Sequence, residues 1–317
     1  MNFYIRKAAG FFLTVFLVSA IIFSVFQILP GDPALVILGI DADPVQIENL
    51  RASMNLDKSA FVRFFIWIGN VFRGNLGQSF RYKQSVSSII GSAFAVTAQL
   101  SFLVLLITVA AGIPLGTWLA GHDKKKVSLP VTFIAQLGVS LPAFCMAIFF
   151  IVLFSVKIPL FPSMGYIPFF ENPFACLQSL FLPAISLAFG TTAILIRYMR
   201  SSVLTQLKKD YVRTARSKGM NRRLVFSRHI LRNSLIPVIT ILGMLTAEIL
   251  GGSIIIENIF SLPGIGKMLA ASILSRDFPL IQGLVLYISI IVVFCNFLVD
   301  ICYSIIDPRI RSKGSDA

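Results

Sequence analysis

The chain has 317 residues, 56% of them hydrophobic and only 13% charged, yet Lys and Arg outnumber Asp and Glu 28 to 14 for a net charge of +14. Soluble domains carry about a quarter charged residues, so this composition excludes a disordered chain, a secreted disulfide scaffold and most soluble enzymes. Two classes remain, a multi-span membrane protein or a basic protein that binds nucleic acid or anionic lipid, and the placement of the positive charges separates them.

Stretches without Asp, Glu, Lys or Arg run over 8–31, 84–121, 127–156, 172–196 and 278–299. Crossing the hydrocarbon core takes roughly 20 apolar residues at about 1.5 Å of rise each, and all five are long enough. A sixth, from Asn233 to Glu257, is interrupted only by Glu248. The runs are apolar all round, where buried helices of a soluble core would show a polar face. The expected fold is all-α integral membrane, with six transmembrane helices.

In chain order, Arg6 and Lys7 precede the first run, which exceeds the roughly 7–15 residues of a signal-peptide core and has no A-x-A site after it; residues 1–30 read as a retained anchor. Span one closes on Leu29-Pro30-Gly31-Asp32-Pro33, a stop-and-turn cluster. Residues 31–92 form the only sizeable extracytoplasmic segment. Within it, Asp43-Pro44 opens a short helix, and AFVRFFIWIGNVF (60–72) is amphipathic enough to lie on the membrane surface or to pack on other spans.

Residues 93–305 hold the other five spans: roughly 93–120, a third to about 155, a fourth over 179–199, then five and six, with a tail over 306–317. If the N-terminus is cytoplasmic and the spans alternate, nineteen of the 28 basic residues fall on the cytoplasmic side, among them Lys124–Lys126, eleven between Arg197 and Arg232, and Arg309, Arg311 and Lys313. Both termini are then cytoplasmic, and the excess charge is an orientation signal, not a surface for a polyanion. Nucleic acid is not an expected partner; membrane lipid is.

Residues 201–236 carry the most information. From Val203, the apolar positions Leu204, Leu207, Tyr211 and Ala215 approach an i, i+4 stripe, opposed by Lys208, Lys209, Arg213 and Arg216. This spacing predicts a short amphipathic helix, with Gly219 as the left-handed residue beyond its end, Arg216 and Lys218 in the last turn, and Asn221 capping a second helix into span five. Helix, glycine elbow and helix make a rigid knob suited to a partner's cleft. The plainer alternative is a basic loop that fixes topology or touches anionic lipid.

The stretch DYVRTARSKGMNRRLVFSRHILRNSLIPVIT resembles the EAA loop of ABC-importer permeases, in particular the peptide and nickel branch. Gly219 and Ala215 match the general motif, whereas Arg213, Thr214, His229 and Arg232 replace its Glu, first Ala, Ile and Pro in the manner of that branch. Three further stretches resemble the branch's B-type permeases: LPGDP at 29–33, GGSIIIENIFSLPGIGKML at 251–269 and VDICYSIIDPRIR at 299–311. The resemblance implies a type I ABC importer permease fold in a bacterial or archaeal cytoplasmic (inner) membrane. It implies half of a translocation pore, paired with a homologous C-type permease, two ABC ATPase subunits and an extracytoplasmic substrate-binding protein. By the same resemblance, Tyr211, Arg213, Thr214, Ala215, Lys218 and Gly219 contact the ATPase. Cargo would be di- or oligopeptides, with nickel or a metal chelate as the alternative.

No enzymatic activity of its own is expected. The nearest approach to a phosphate loop, at Gly266-Lys267, has Ser261 where the first Gly belongs and Met268 after the Lys. Cys145, Cys176, Cys295 and Cys302 lack C-x-x-C spacing, and His122 and His229 stand far apart, so neither a metal site nor a cofactor is expected. Glu248 is the carboxylate deep in a span, with two readings, a pathway group or, preferred here, a carboxyl packed between helices. Glu257, Pro263 and Gly264 are expected to shape the outer pore mouth. A self-sufficient secondary transporter or channel is the competing class; it should show inverted repeats or broken helices with polar midplane residues.

Overall fold

The computed structural model of the chain describes residues 3–28, 43–53, 56–123 and 125–306. The expected turn at 29–33, Lys124 and the basic tail from 307 lie outside the described residues. Among these residues the fold is all-α: α1 (Phe3–Ile28), α2 (Pro44–Ser53), α3 (Ala60–Phe72), α4 (Val86–Gly121), α5 (Leu129–Ser140), α6 (Ala143–Ile151, continued by a π turn Val152–Lys157), α7 (Pro173–Leu207), α8 (Asp210–Ser217), α9 (Arg222–Ile259), α10 (Ile265–Leu274) and α11 (Phe278–Ile306). Five helices, α1, α4, α7, α9 and α11, are long and apolar enough to cross a membrane unbroken. The α5–α6 pair is the sixth span if its two halves count as one, and these are bent by 111°.

That bend departs from a third span read by run length alone. Its cause is local: Leu141 precedes Pro142, whose ring disfavours helical backbone in the residue before it, and Leu141 sits at φ −93°, ψ 126°. The fourth span also differs. Its helix runs from Asn172, whose side chain accepts the Ala175 N–H and caps it, to Leu207, eight residues past the expected end. Arg197 and Arg200 end the apolar run but not the helix, because long cationic side chains reach outward from a continuing backbone.

The chain forms two compact units, one of Thr97–Leu262 and Cys295–Ala317, the other of Asn2–Val96 and Pro263–Phe294. In the first, α7 is the hub and packs against α5, α6 and α9. Its most apolar stretch is 67% buried, more than that of any other span. Small residues permit this density. On α4, Gly112 and Gly116 form a G-x-x-x-G face against α7, and a Cβ on Gly116 would stand 2.7 Å from the Ile196 carbonyl oxygen and from Met199 Cβ. Between the same helices, the buried hydroxyls of Thr108 and Thr191 share a hydrogen bond of 2.8 Å.

In the second unit, α3 packs on α1. The Phe64 ring lies 5.8 Å from that of Phe16 and 5.4 Å from that of Phe23, and Trp67 stands 5.8 Å from Phe23. Of the two placements expected for this segment, packing on a span is realised, while Phe61, Phe65 and Phe72 remain exposed. At the start of α4, Val86, Ile89, Ile90 and Ala93 form a core with Ile265, Leu280 and Leu284. Beside it, Asp277, 1% exposed, precedes α11 and offers its carboxylate to the turn before α4. It accepts the Ser79 hydroxyl at 2.5 Å and the Phe80 and Arg81 N–H groups at 3.2 Å each, and the Leu280 N–H at 3.4 Å.

Candidate functional site: the α7–α9 junction and the exposed face of α9

The expected amphipathic helix from Val203 is two helices. The α7 helix carries Leu204 and Leu207 to its own end, Lys208 and Lys209 turn the chain, and α8 restarts at Asp210. An acid in a first helical turn suits the positive end of the dipole. The stripe survives the break because α8 folds back on the same core: Val203, Val212, Ala215, Val225 and Ile230 are buried together with Leu195 and Met199 of α7 and Val238 and Leu245 of α9. Tyr211, half-buried, donates its hydroxyl to Gln206 Oε1 at 2.9 Å and ties α8 to the end of α7.

The elbow follows the sequence reading. Gly219 has φ +78°, a conformation that costs an L-residue with a side chain roughly 1–2 kcal/mol. Its N–H bonds to the Arg216 carbonyl at 2.9 Å and the Met220 N–H to that of Ala215 at 3.3 Å, the paired bonds of a Schellman end. Met220 packs on the cluster that buries Ala215. Asn221 then caps α9, its Oδ1 accepting the Arg223 N–H at 3.0 Å. Two side chains brace the junction: Ser202 donates to the Ser234 carbonyl at 2.8 Å, linking α7 to α9, and Arg200 holds Asp123 through Nη2 at 2.5 Å and Nε at 3.1 Å.

What the junction turns outward is charge. Lys208, Lys209, Arg213, Arg216, Lys218, Arg222 and Arg223 are all exposed, and Asp210 is the sole acid of that stretch. Of the six residues singled out from sequence, Arg213, Thr214, Lys218 and Gly219 are exposed, whereas Ala215 is buried and Tyr211 half-buried. The last two hold the knob in place, as does Val212, which the sequence reading missed because it stands outside the i, i+4 stripe. Burial at 212 and 215, an i, i+3 pair on one helical face, is the signal that would have found it.

On α9 the two carboxylates have opposite fates. Glu257 is fully buried and accepts the Thr97 hydroxyl at 2.6 Å. Glu248 is exposed, so no helix of this chain encloses its carboxyl. Pro263, exposed, and Gly264, buried, precede α10 in the other unit. In the loop between α6 and α7, Tyr166 donates its hydroxyl to Gln99 Oε1 at 3.1 Å, and burial pushes its pKa above the ordinary phenol value. Among the described residues, no group of three or more His, Cys, Asp or Glu side chains is placed to hold a metal ion.

Comparison with known proteins agrees with this architecture. Residues 112–312 match the family described as binding-protein-dependent transport system inner membrane component, and residues 1–101 match the N-terminal region of such membrane components. A Brucella abortus protein provisionally named as a peptide transport system permease is 41% identical over 307 residues, covering 97% of this chain and 98% of its own. A Shigella flexneri glutathione transport system permease protein is 35% identical over 317 residues, covering 99% and 100%. Among solved structures, the MetNI methionine ABC transporter in an inward-facing form aligns with a TM-score of 0.58 at 14% identity, over 69% of this chain and 96% of that one. An amino acid ABC transporter aligns at 0.51 and 16% identity, over 70% and 94%. These two likenesses concern the fold alone.

Proposed function

We propose that this chain, which belongs to the family of inner membrane components of binding-protein-dependent transport systems, forms half of the translocation pathway of an ATP-driven importer of peptides. It is a multi-pass protein of the bacterial inner membrane, and its family works with ATPase subunits and a substrate-binding protein. ATP hydrolysis is the work of those separate subunits. Peptide cargo is supported by the names of its full-length relatives, one a peptide and one a glutathione permease, glutathione being itself a tripeptide. A homologous C-type permease supplies the other half. Within the chain, residues 1–30 anchor, 31–92 face outward and 93–305 make the transport core, with both termini cytoplasmic.

The observation that carries the mechanism is the junction of α7, α8 and α9. It is packed into one core with the ends of two spans, and it turns outward an exposed row of cations around Gly219. In this reading Arg213, Thr214, Lys218 and Gly219 dock in a cleft of the ATPase. Tyr211 and Ala215 fix the knob from behind. Closure of the nucleotide-loaded ATPases then displaces the knob, and the attached spans move as near-rigid bodies between two access states. In this reading Glu257 belongs to the outer end of the pathway, and Glu248 lines it.

Replacing Gly219 by Val tests this. A Cβ there meets open space, so the substitution acts through backbone strain at φ +78° and leaves the core intact. The expected result is normal membrane insertion, with loss of ATPase co-purification and of uptake. Full uptake in membranes that contain no ATPase subunit would sink the coupling role.

A further inference from the structure

Glu248 lies sixteen residues beyond Arg232 and eleven before Ile259, about 24 Å and about 16 Å along the helix axis, well inside a hydrocarbon core of about 30 Å. Met244, Glu248, Gly251 and Ile255 follow one another at spacings of four, three and four and are all exposed, so they share one face of α9. Behind them Leu245, Ile249 and Ile256 are buried at 2%, 0% and 0% exposure. Space beside Gly251 is open: a Cβ there would meet no atom within 4 Å. Among the described residues, no hydrogen bond or ion pair reaches the Glu248 carboxylate.

A carboxylate at this depth against lipid costs about 2.5–3.5 kcal/mol on insertion scales. The same helix shows how the chain treats an acid it means to bury: Glu257, nine residues on, is enclosed and hydrogen-bonded by Thr97. Glu248 has no such enclosure. Its face is therefore turned to a polar surrounding supplied from outside the chain, and a carboxylate in a confined, low-dielectric passage attracts cations more strongly than one in bulk water. The cation that every unblocked peptide carries is its terminal ammonium.

We propose that Glu248 is the cation-recognising group of the pathway and takes the terminal ammonium of a peptide in transit. The inference rests on the reading above that α9 lines the pathway, and the test separates the two. The complete transporter, with the chain's four native cysteines replaced, is reconstituted in liposomes carrying Gly251→Cys, or Ile255→Cys as a second reporter on the same face. Modification rates are compared for a cationic and an anionic methanethiosulfonate of similar size. Both reagents are expected to react, the cationic one on the order of tenfold faster, and Glu248→Gln should bring the ratio close to one. ATP-driven uptake of a labelled dipeptide mixture should fall several-fold in Glu248→Gln and persist in Glu248→Asp. If neither reporter reacts, the face is covered by lipid or by the partner permease and the pathway reading fails. If both reagents react with a ratio indifferent to Glu248, or uptake is unchanged in Glu248→Gln, the pathway stands and ammonium recognition falls.

Discussion

Two junctions of the chain solve the same problem, holding a turn between long helices, with opposite chemistry. At the α7–α8–α9 junction the core is built on the apolar side chains of Val203, Val212, Ala215 and Val225, and the charges point out. At the turn before α4 the order is inverted. A carboxylate, Asp277, is buried and saturated by the Ser79 hydroxyl and by backbone N–H groups, with Gly77 at φ +89° and Lys83 at φ +54° completing the turn. A buried, fully bonded charge is committed to the fold. An exposed, loosely paired one remains available to a partner. The comparison teaches which charges of this basic protein to read as structural and which as functional.

Asp277→Ala should break the second junction outright. It strands the buried Ser79 hydroxyl, at about 1–3 kcal/mol without an acceptor, leaves the part-buried Phe80 and Arg81 N–H groups without their carboxylate, and removes the cap on α11, about 1 kcal/mol more. Thermal unfolding of the detergent-purified protein and protease cleavage near 78–85 should both show a large loss. Asp277→Asn, which keeps a carbonyl acceptor, should recover part of it. Equal stability of Asp277→Ala and wild type would erase the contrast.

None of that clasp was legible in the sequence. Asp277 and its partners stand 196 to 198 residues apart, and no local pattern marks a pairing at that range. What was legible was whatever local chemistry decides: the apolar runs, because a span must be apolar along its length, and Gly219 and Asn221, because an elbow needs a residue at positive φ and a helix start needs an acceptor. Run length says nothing of backbone direction, so the bend at Leu141-Pro142 escaped a count of apolar residues although its proline was in plain view. Nor does it say where a helix stops, since Arg197 and Arg200 end the apolar stretch while α7 continues to Leu207. The exposed face of α9 was hidden for a different reason. Met244, Gly251 and Ile255 are as apolar as the buried residues behind them, and only their three-dimensional surroundings distinguish the two sides.

The intermediate effect belongs to Asn221. Its side chain satisfies one N–H at the start of α9, and Asn221→Ala should cost about 1 kcal/mol, too little to unfold a junction whose core is apolar. If α9 carries the proposed stroke, uptake should weaken, because the cap sets the entry angle of that helix, and Asn221→Asp, which keeps an acceptor, should restore it. Loss of folding in Asn221→Ala would mean that this junction, like the other, depends on a polar keystone.

The smallest effect on stability, and the sharpest separation of the two junctions, is expected at Arg213. Its ion pair with Asp210 is 3.7 Å long, with side chains 79% and 95% exposed. Such pairs contribute little in water, because solvent and salt screen them and both side chains lose freedom in forming them. Arg213→Ala should therefore leave the melting temperature of the isolated permease unchanged within measurement. Arg213→Glu should do the same for folding, since the side chain at 213 is exposed. If the cation is held outward for the ATPase, however, charge reversal should weaken co-purification of the ATPase and make it fall more steeply with ionic strength than in wild type. A melting temperature that drops with Arg213→Ala would show the exposed charge to be structural after all. An ATPase affinity indifferent to its reversal would place the docking surface elsewhere on the knob, on Thr214, Lys218 and Gly219 alone.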